Sequence, residues 1–221
     1  MLFDEKAVRE NLRNRDGKRV FYLGKGDTLS PSARDYLNRE RIPILPGSEA
    51  KPPRWRLLGG GFREEKGEAL TCLEGDLLVP KTHPRIRFRG AMDSLEAELL
   101  LCGEQVKEIW ELAGRLVRCE VLGEPVGDFQ LYGLTEEEQR KRSHFPQEYY
   151  GIPHFMPSYD DGEMVLRLNK CRTAARSAEL AAVAAFTDGD GALVREDIVK
   201  ALNRMSSMLY ILMVREKSGK S

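Results

Sequence analysis

The chain has 221 residues, enough for one domain with a small appendage or for two small domains. Lys+Arg and Asp+Glu are 35 each, so the formal net charge is zero and there is no basic excess to suit a nucleic acid or a membrane surface. No apolar run approaches the ~20 residues of a membrane span, the N-terminal MLFDEKAVRENLRNR lacks a signal peptide's apolar segment, and four scattered cysteines (Cys72, Cys102, Cys119, Cys171) without CxxC spacing predict a reduced cytoplasmic chain with structural thiols rather than a four-Cys zinc site.

Residues 1–45 read as a small α+β unit. Asp4–Arg15 is predicted helical, with Val8 and Leu12 at i, i+4. Arg19–Leu23 (RVFYL) is a short strand, Gly24, Gly26 and Asp27 a turn, and Ser30 the N-cap of a helix that has Pro31 at its first position and runs to about Glu40. Ile42–Leu45 is a second short strand. Residues 46–68 read as a linker or long loop, broken by Pro52-Pro53 and Gly59-Gly60-Gly61. No GK[ST] follows the triple glycine, so a P-loop is rejected.

Residues 69–221 are assigned to a main helical domain. LLVP forms a short strand, and Lys81, Arg85, Arg87 and Arg89 make a basic cluster ahead of a helix expected from Met92 to about Val121. Leu95, Leu99, Cys102, Val106, Ile109, Leu112 and Leu116 follow its 3–4 spacing, and Gly103 is a candidate break. After a loop over 122–133, Thr135 to Glu138 is a capping box that opens a short polar helix. Ser143–Gly162 cannot be one helix: it is interrupted by Pro and Gly and carries five aromatic side chains and two histidines. His144 and His154 have no third ligand at supporting spacing and read as surface or loop-packing residues.

Leu166–Phe186 is the segment around which the chain is organised. It has no Gly or Pro and is rich in Ala, Leu and Arg. Val165, Leu168, Ala175, Val183 and Phe186 share one stripe, and Arg172, Arg176 and Glu179 fall in its middle on the same rotation. Charges on a core-facing stripe require partners, because unpaired buried charge costs several kcal/mol. Either a ligand or an internal ion-pair network or subunit contact meets that need. The following TDGDGALVRED places Asp188, Asp190, Gly191, Leu193 and Asp197 at calcium-loop positions, but Phe186 stands at position one, so a tight helix–helix turn is the expected structure. The last helix runs from about Arg195 to Arg215, with Ile198, Leu202, Met205, Leu209 and Leu212 in its core stripe and Asn203, Ser206, Ser207 and Tyr210 on a separate small, polar face suited to solvent or a close subunit contact.

Taken in order, KTHPRIRFRGAMDSLEAEL, CRTAARSAEL and ALNRMSSMLYIL resemble the ATP:corrinoid adenosyltransferases of the helical-bundle superfamily. The pattern there is K-x-D-x-R…G-x-x-D-E-L, then R-T-x-x-R-R-x-E-R, then L-N-R-L-S-D. The stretch EVLGEPVG…YGLTEEEQRKRSH and the N-terminal LSPSARDYL are similar to the ethanolamine-utilisation branch, and the resemblance covers most of 21–215. It implies a mainly α fold, a bundle of about five helices with the small N-terminal α+β unit. It also implies transfer of the 5′-deoxyadenosyl group of ATP, with Mg²⁺, to a reduced corrinoid.

By the same resemblance, Thr71, Lys81, Arg176, Glu179, Asn203 and Arg204 match ATP-site positions, and Asp93 and Arg172 match a pair bridging neighbouring subunits. Phe145, Tyr149, Tyr150 and Phe155 of the ring-rich loop are candidates to cover the corrin face. The implied partners are further copies of the chain (a trimer or dimer), a cob(II)alamin reductase, and adenosylcobalamin-dependent ethanolamine ammonia-lyase or microcompartment proteins, in the cytoplasm or a microcompartment. Several positions depart from the pattern: His83 stands for Asp, Ser177 and Leu180 for Arg, Ser207 for Asp, and Lys66–Thr71 retains one Gly. Cys72 alone remains of the His…Cys-Cys-x-x-Cys motif of some branch members, so no protein-bound metal is expected. The rival reading of these losses is a non-catalytic protein that binds ATP or adenosylcobalamin for delivery or as a scaffold.

Overall fold

A computed structural model describes residues 1–15, 17–49 and 55–219. The chain divides into two compact units, Met1–His83 and Pro84–Ser221.

The first unit is α+β. Asp4 caps the helix α1 (Glu5–Glu10), its side chain accepting from the Ala7 amide at 2.7 Å. The helix is shorter than expected because Arg13–Arg15 forms the strand β2, after the two-residue β1 (Leu2–Phe3). Next come β3 (Lys18–Leu23), β4 (Thr28–Leu29), α2 (Pro31–Arg39) and β5 (Ile44–Pro46). Ser30 caps α2 as its sequence predicts, with Pro31 in the first turn.

The stretch read as a linker contributes β6 (Trp55–Leu57) and β7 (Phe62–Arg63), followed by β8 (Leu70–Glu74) and β9 (Leu77–Pro80). These strands belong to a seven-stranded mixed sheet of order β5-β3-β2-β7-β6-β9-β8, while β1 and β4 pair separately. The first unit therefore extends to His83 rather than ending at residue 45. The triple glycine is the turn joining antiparallel β6 and β7. Gly61 has φ +85°, and a Cβ there would lie 2.7 Å from the Leu12 carbonyl oxygen, so only glycine fits where the hairpin meets β2. Pro52-Pro53 lies outside the described residues. Val8, Leu12, Phe21, Ala33, Tyr36, Leu37 and Ile42 form this unit's core.

The second unit is helical: α3 (Pro84–Leu100), α4 (Lys107–Leu122), α5 (Glu136–His144), α6 (Pro146–Tyr150), α7 (Glu163–Phe186) and α8 (Glu196–Ser218). The long helices α3, α4, α7 and α8 make the bundle. The short α5 and α6 lie along α8, which makes six helices where about five are expected. Gly103, at φ 76°, ends the α3 segment, so the long run splits as its glycine suggests. Of the basic cluster only Lys81 lies ahead of the helix; Arg85, Arg87 and Arg89 are within α3's first turns, where Arg85 and Arg89 clamp the fully buried Glu120 carboxylate of α4 at 2.6 and 2.7 Å. Phe88 meets Phe186 edge-on, with centroids 5.3 Å apart, locking α3 to α7. All four cysteines are free thiols, with Cys102 and Cys171 sulfurs 3.4 Å apart in the core. Asp188 accepts from the Asp190 and Ala192 amides at 3.0 and 2.9 Å, which makes the segment after α7 a self-capped turn. No helix among the described residues is long and apolar enough to cross a membrane.

Candidate functional site

The buried face of α7 is Val165, Leu168, Cys171, Ala175, Ala178, Ala182 and Phe186. Small residues let α3 and α8 pack closely against it. This stripe is rotated from the expected one: Val183 is 39% exposed, and Arg172, Arg176 and Glu179 follow the stripe's edge instead of its middle. Arg172 and Glu179 are half-buried and Arg176 is exposed, so the charges keep contact with solvent. Arg172 donates from Nε and Nη2 to Asn169 Oδ1 at 3.1 and 2.9 Å, a neutral partner. Burial lowers its pKa, and the charge of Arg176 lowers it further.

The polar face of α8 is a cleft wall rather than open surface. Arg172 and Arg176, with Ser206, Ser207 and Tyr210, face His154 and Phe155 across a cleft of about 240 Å³. Tyr210 holds the aromatic loop in place. Its hydroxyl lies 2.9 Å from His154 Nδ1 and accepts from the Phe155 amide at 3.2 Å, and its ring stacks on His154 at 5.0 Å. Lys217 sits 4.5 Å over the Phe155 ring. The Ser206 and Ser207 hydroxyls both donate to the Asn203 carbonyl at 3.1 Å.

Glu179 and Asn203 meet across α7 and α8: Asn203 Nδ2 donates to Glu179 Oε1 at 2.9 Å, and Arg204 donates to Asn203 Oδ1. Arg204 does not line the cleft of Arg172 and Arg176. It faces a second cleft, of about 870 Å³, with Arg140 and Lys200. Of the four candidate rings only Phe155 lines the smaller cleft. Phe145 is 54% exposed at the junction of α5 and α6, Tyr149 lies under Arg142 at 5.4 Å, and Tyr150 packs on the core with Arg215 5.8 Å over it.

Thr71 and Lys81 belong to the first unit. Thr71 pairs with Val79 between β8 and β9, and Lys81 follows β9 with its amide donating to the Ala69 carbonyl at 2.9 Å and its side chain exposed. Asp93 is exposed on α3 and forms no ion pair with Arg172 within the chain among the described residues. Three features were missed from sequence. Asn169 as the holder of Arg172 could have been found from i, i+3 spacing; the His154–Tyr210 contact and the Arg85–Glu120–Arg89 clamp are long-range and carry no sequence signal. Among the described residues no three His, Cys, Asp or Glu side chains group closely enough to hold a metal ion.

A helical unit that brings two guanidinium groups and an aromatic loop to one cleft beside a Glu–Asn pair defines a class. Residues 64–216 match the family model described as cobalamin adenosyltransferase, and the chain belongs to that family. The corrinoid adenosyltransferase EutT of Escherichia coli K12 is 34% identical over 158 residues, 68% of this chain and 59% of that protein, and EutT of strain CFT073 matches to the same extent. EutT of Salmonella typhimurium LT2 is 32% identical over 241 aligned positions, 95% of this chain and 90% of that protein. The match thus spans less than two thirds of the length of the Escherichia coli relatives and most of the Salmonella one.

Proposed function

We propose that this chain transfers the 5′-deoxyadenosyl group of ATP to cob(I)alamin. The cobalt(I) electron pair attacks C5′, a Co–C bond forms, the C5′–O bond breaks, and triphosphate leaves. The observation that carries this reading is the cleft of Arg172 and Arg176. Arg176 forms no ion pair among the described residues, an aromatic wall faces it, and Arg172 beside it meets a neutral amide of its own chain, which leaves its charge for a carboxylate of a neighbouring subunit. A polyanion beside a broad apolar face is the ligand combination such a cleft suits.

The reaction needs little proton transfer, so the protein's work is to clamp, align and exclude water. Arg176 clamps the triphosphate, and Glu179, oriented by Asn203, holds the nucleoside end. Thr71, Lys81 and Arg204 are the remaining ATP contacts we propose, and Asp93 pairs with Arg172 of a neighbouring subunit in a homo-oligomer, a dimer or trimer. Mg²⁺ enters with ATP, the triphosphate oxygens supplying its hard ligands, and no protein-bound transition metal is required. Phe155 covers the corrin and occupies the space of the cobalt's lower ligand, with Phe145, Tyr149 and Tyr150 supporting the loop. A cob(II)alamin reductase supplies the reduced substrate, and the product serves ethanolamine ammonia-lyase, in the cytoplasm or a microcompartment.

An anaerobic assay with ATP and chemically reduced cobalamin tests this. Appearance of the adenosylcobalamin spectrum with stoichiometric triphosphate is expected. ATP and cobalamin binding without turnover would refute catalysis.

A further inference from the structure

The larger cleft of the second unit lies on the same α5–α8 seam as the smaller one. Arg140 on α5 and Arg204 on α8 line the larger cleft, and Ser143 and Ser207, three residues further along the same helices, line the smaller one. The larger cleft is lined by three acids, Asp128, Glu136 and Glu137, and three bases, Arg140, Lys200 and Arg204, but two of the acids are already engaged by lysines. Glu136 is taken by Lys200 at 2.6 Å and Glu137 by Lys141 at 2.8 Å. Arg140 has no ion pair or side-chain hydrogen bond among the described residues, and Arg204 Nε is buried without a partner. The other contact of Arg204 is the neutral Asn203 amide. Burial lowers the Arg204 pKa and the charge of Arg140 lowers it further, together outweighing the Glu136 and Glu179 carboxylates, which raise it. Asp128, exposed at the rim, is the one acid left over.

We propose that this cleft is a second phosphate-binding subsite, in which Arg140 and Arg204 together grip one phosphate group of a larger ligand. Paired guanidinium forks match the spread oxygens of a phosphate. The volume, about 870 Å³, lies in the range of sites for drug-sized ligands and far exceeds a free inorganic anion. Half-buried Phe129 supplies a flat wall for the body that carries the phosphate. The proposal rests on the adenosyltransferase reading for its two sources: the triphosphate of ATP, or the phosphodiester in the nucleotide loop of a corrinoid whose lower ligand has left the cobalt.

The test is calorimetry on the full chain and on Arg140→Ala and Arg140→Lys, with tripolyphosphate, cobalamin and cobinamide, which lacks the nucleotide loop. Loss of a charge-assisted contact corresponds to about ten- to a hundredfold weaker binding. Arg140→Ala is expected to lose that much for tripolyphosphate if the triphosphate is the source. If the phosphodiester is the source, the loss is for cobalamin and not cobinamide. Arg140→Lys recovers part of either loss. Wild-type affinity of Arg140→Ala for tripolyphosphate and cobalamin, or equal weakening for all three probes with a lower melting temperature, overturns the proposal. A chain that binds tripolyphosphate through Arg140 but no corrinoid refutes the adenosyltransferase reading and leaves the anion subsite standing.

Discussion

The Asn203 side-chain amide donates to Glu179 Oε1 at 2.9 Å and joins α8 to α7 at the edge of their buried interface. It sets the Glu179 carboxylate toward the polar side of the bundle, where the aliphatic packing alone would leave it free to rotate. A half-exposed hydrogen bond to a charged group contributes about 1–2 kcal/mol. Asn203→Ala is expected to lower unfolding stability in urea by that amount and to weaken ATP binding as well. Reduced stability with ATP affinity intact would make the pair a structural link only.

Arg176 is exposed, so its removal leaves the core untouched. Arg176→Ala is expected to fold normally and to lose about 2–4 kcal/mol of ATP affinity by calorimetry, the order of a truncated charge-assisted contact. Unchanged nucleotide binding would remove Arg176 from the site.

Asp93 offers an exposed carboxylate on α3. If it meets Arg172 of another copy, the pair becomes buried on assembly, and breaking one partner costs about 3–5 kcal/mol. Sedimentation of Asp93→Ala should shift toward monomer, with activity falling in parallel. Full assembly and full activity would exclude the bridge.

Two rings of the aromatic loop separate by environment. Phe155 lines the cleft, whereas Tyr150 packs on the bundle core under Arg215. Phe155→Ala should leave ATP binding nearly intact while weakening corrinoid binding and altering the visible spectrum of bound cob(II)alamin. Tyr150→Ala should chiefly lower the melting temperature. An unchanged bound-cobalamin spectrum in Phe155→Ala would retire the corrin-covering role.

Acid should loosen the connection before α5. The Asp197 carboxylate accepts from Arg195 Nε and Nη2 at 2.9 and 3.0 Å and from the Val126 amide at 3.0 Å. Arg195 holds its pKa below the ordinary value, with burial opposing. A depressed folded pKa gives stability that is complete above the unfolded value, near ~3.9, and is lost as pH falls through the folded one. The melting-temperature gap between wild type and Asp197→Asn should therefore stay constant above pH ~5 and close below pH ~4. A gap unchanged down to pH ~2.5 would contradict the assignment.

Local chemistry was legible without coordinates. Ser30 with Pro31, and Thr135 with Glu138, mark helix starts because a cap is an i, i+3 interaction written within one turn. The α8 core stripe from Ile198 to Leu212 is likewise buried as its spacing requires. On α7 the 3–4 spacing points to Val183 as a core residue, but it is 39% exposed. Cys171, Ala178 and Ala182 hold the interface instead, because small side chains admit the neighbouring helices and rotate the buried face away from the arginines.

By itself, the sequence determined the capped helices, the bundle's apolar stripes, and the residue types that point to a phosphate-bearing substrate. Only the tertiary structure decided the sheet, since strands of two to six residues signal weakly and β2 finds β7, and β6 finds β9, through pairing that no local pattern encodes. It also decided that Ser206, Ser207 and Tyr210 wall a cleft, because the aromatic loop reaches α8 from more than fifty residues away, through the Tyr210 hydroxyl. It decided, too, that Arg204 faces Arg140 rather than Arg176. Adjacent residues of one helix point about 100° apart, and what each one meets depends on which helices pack around it.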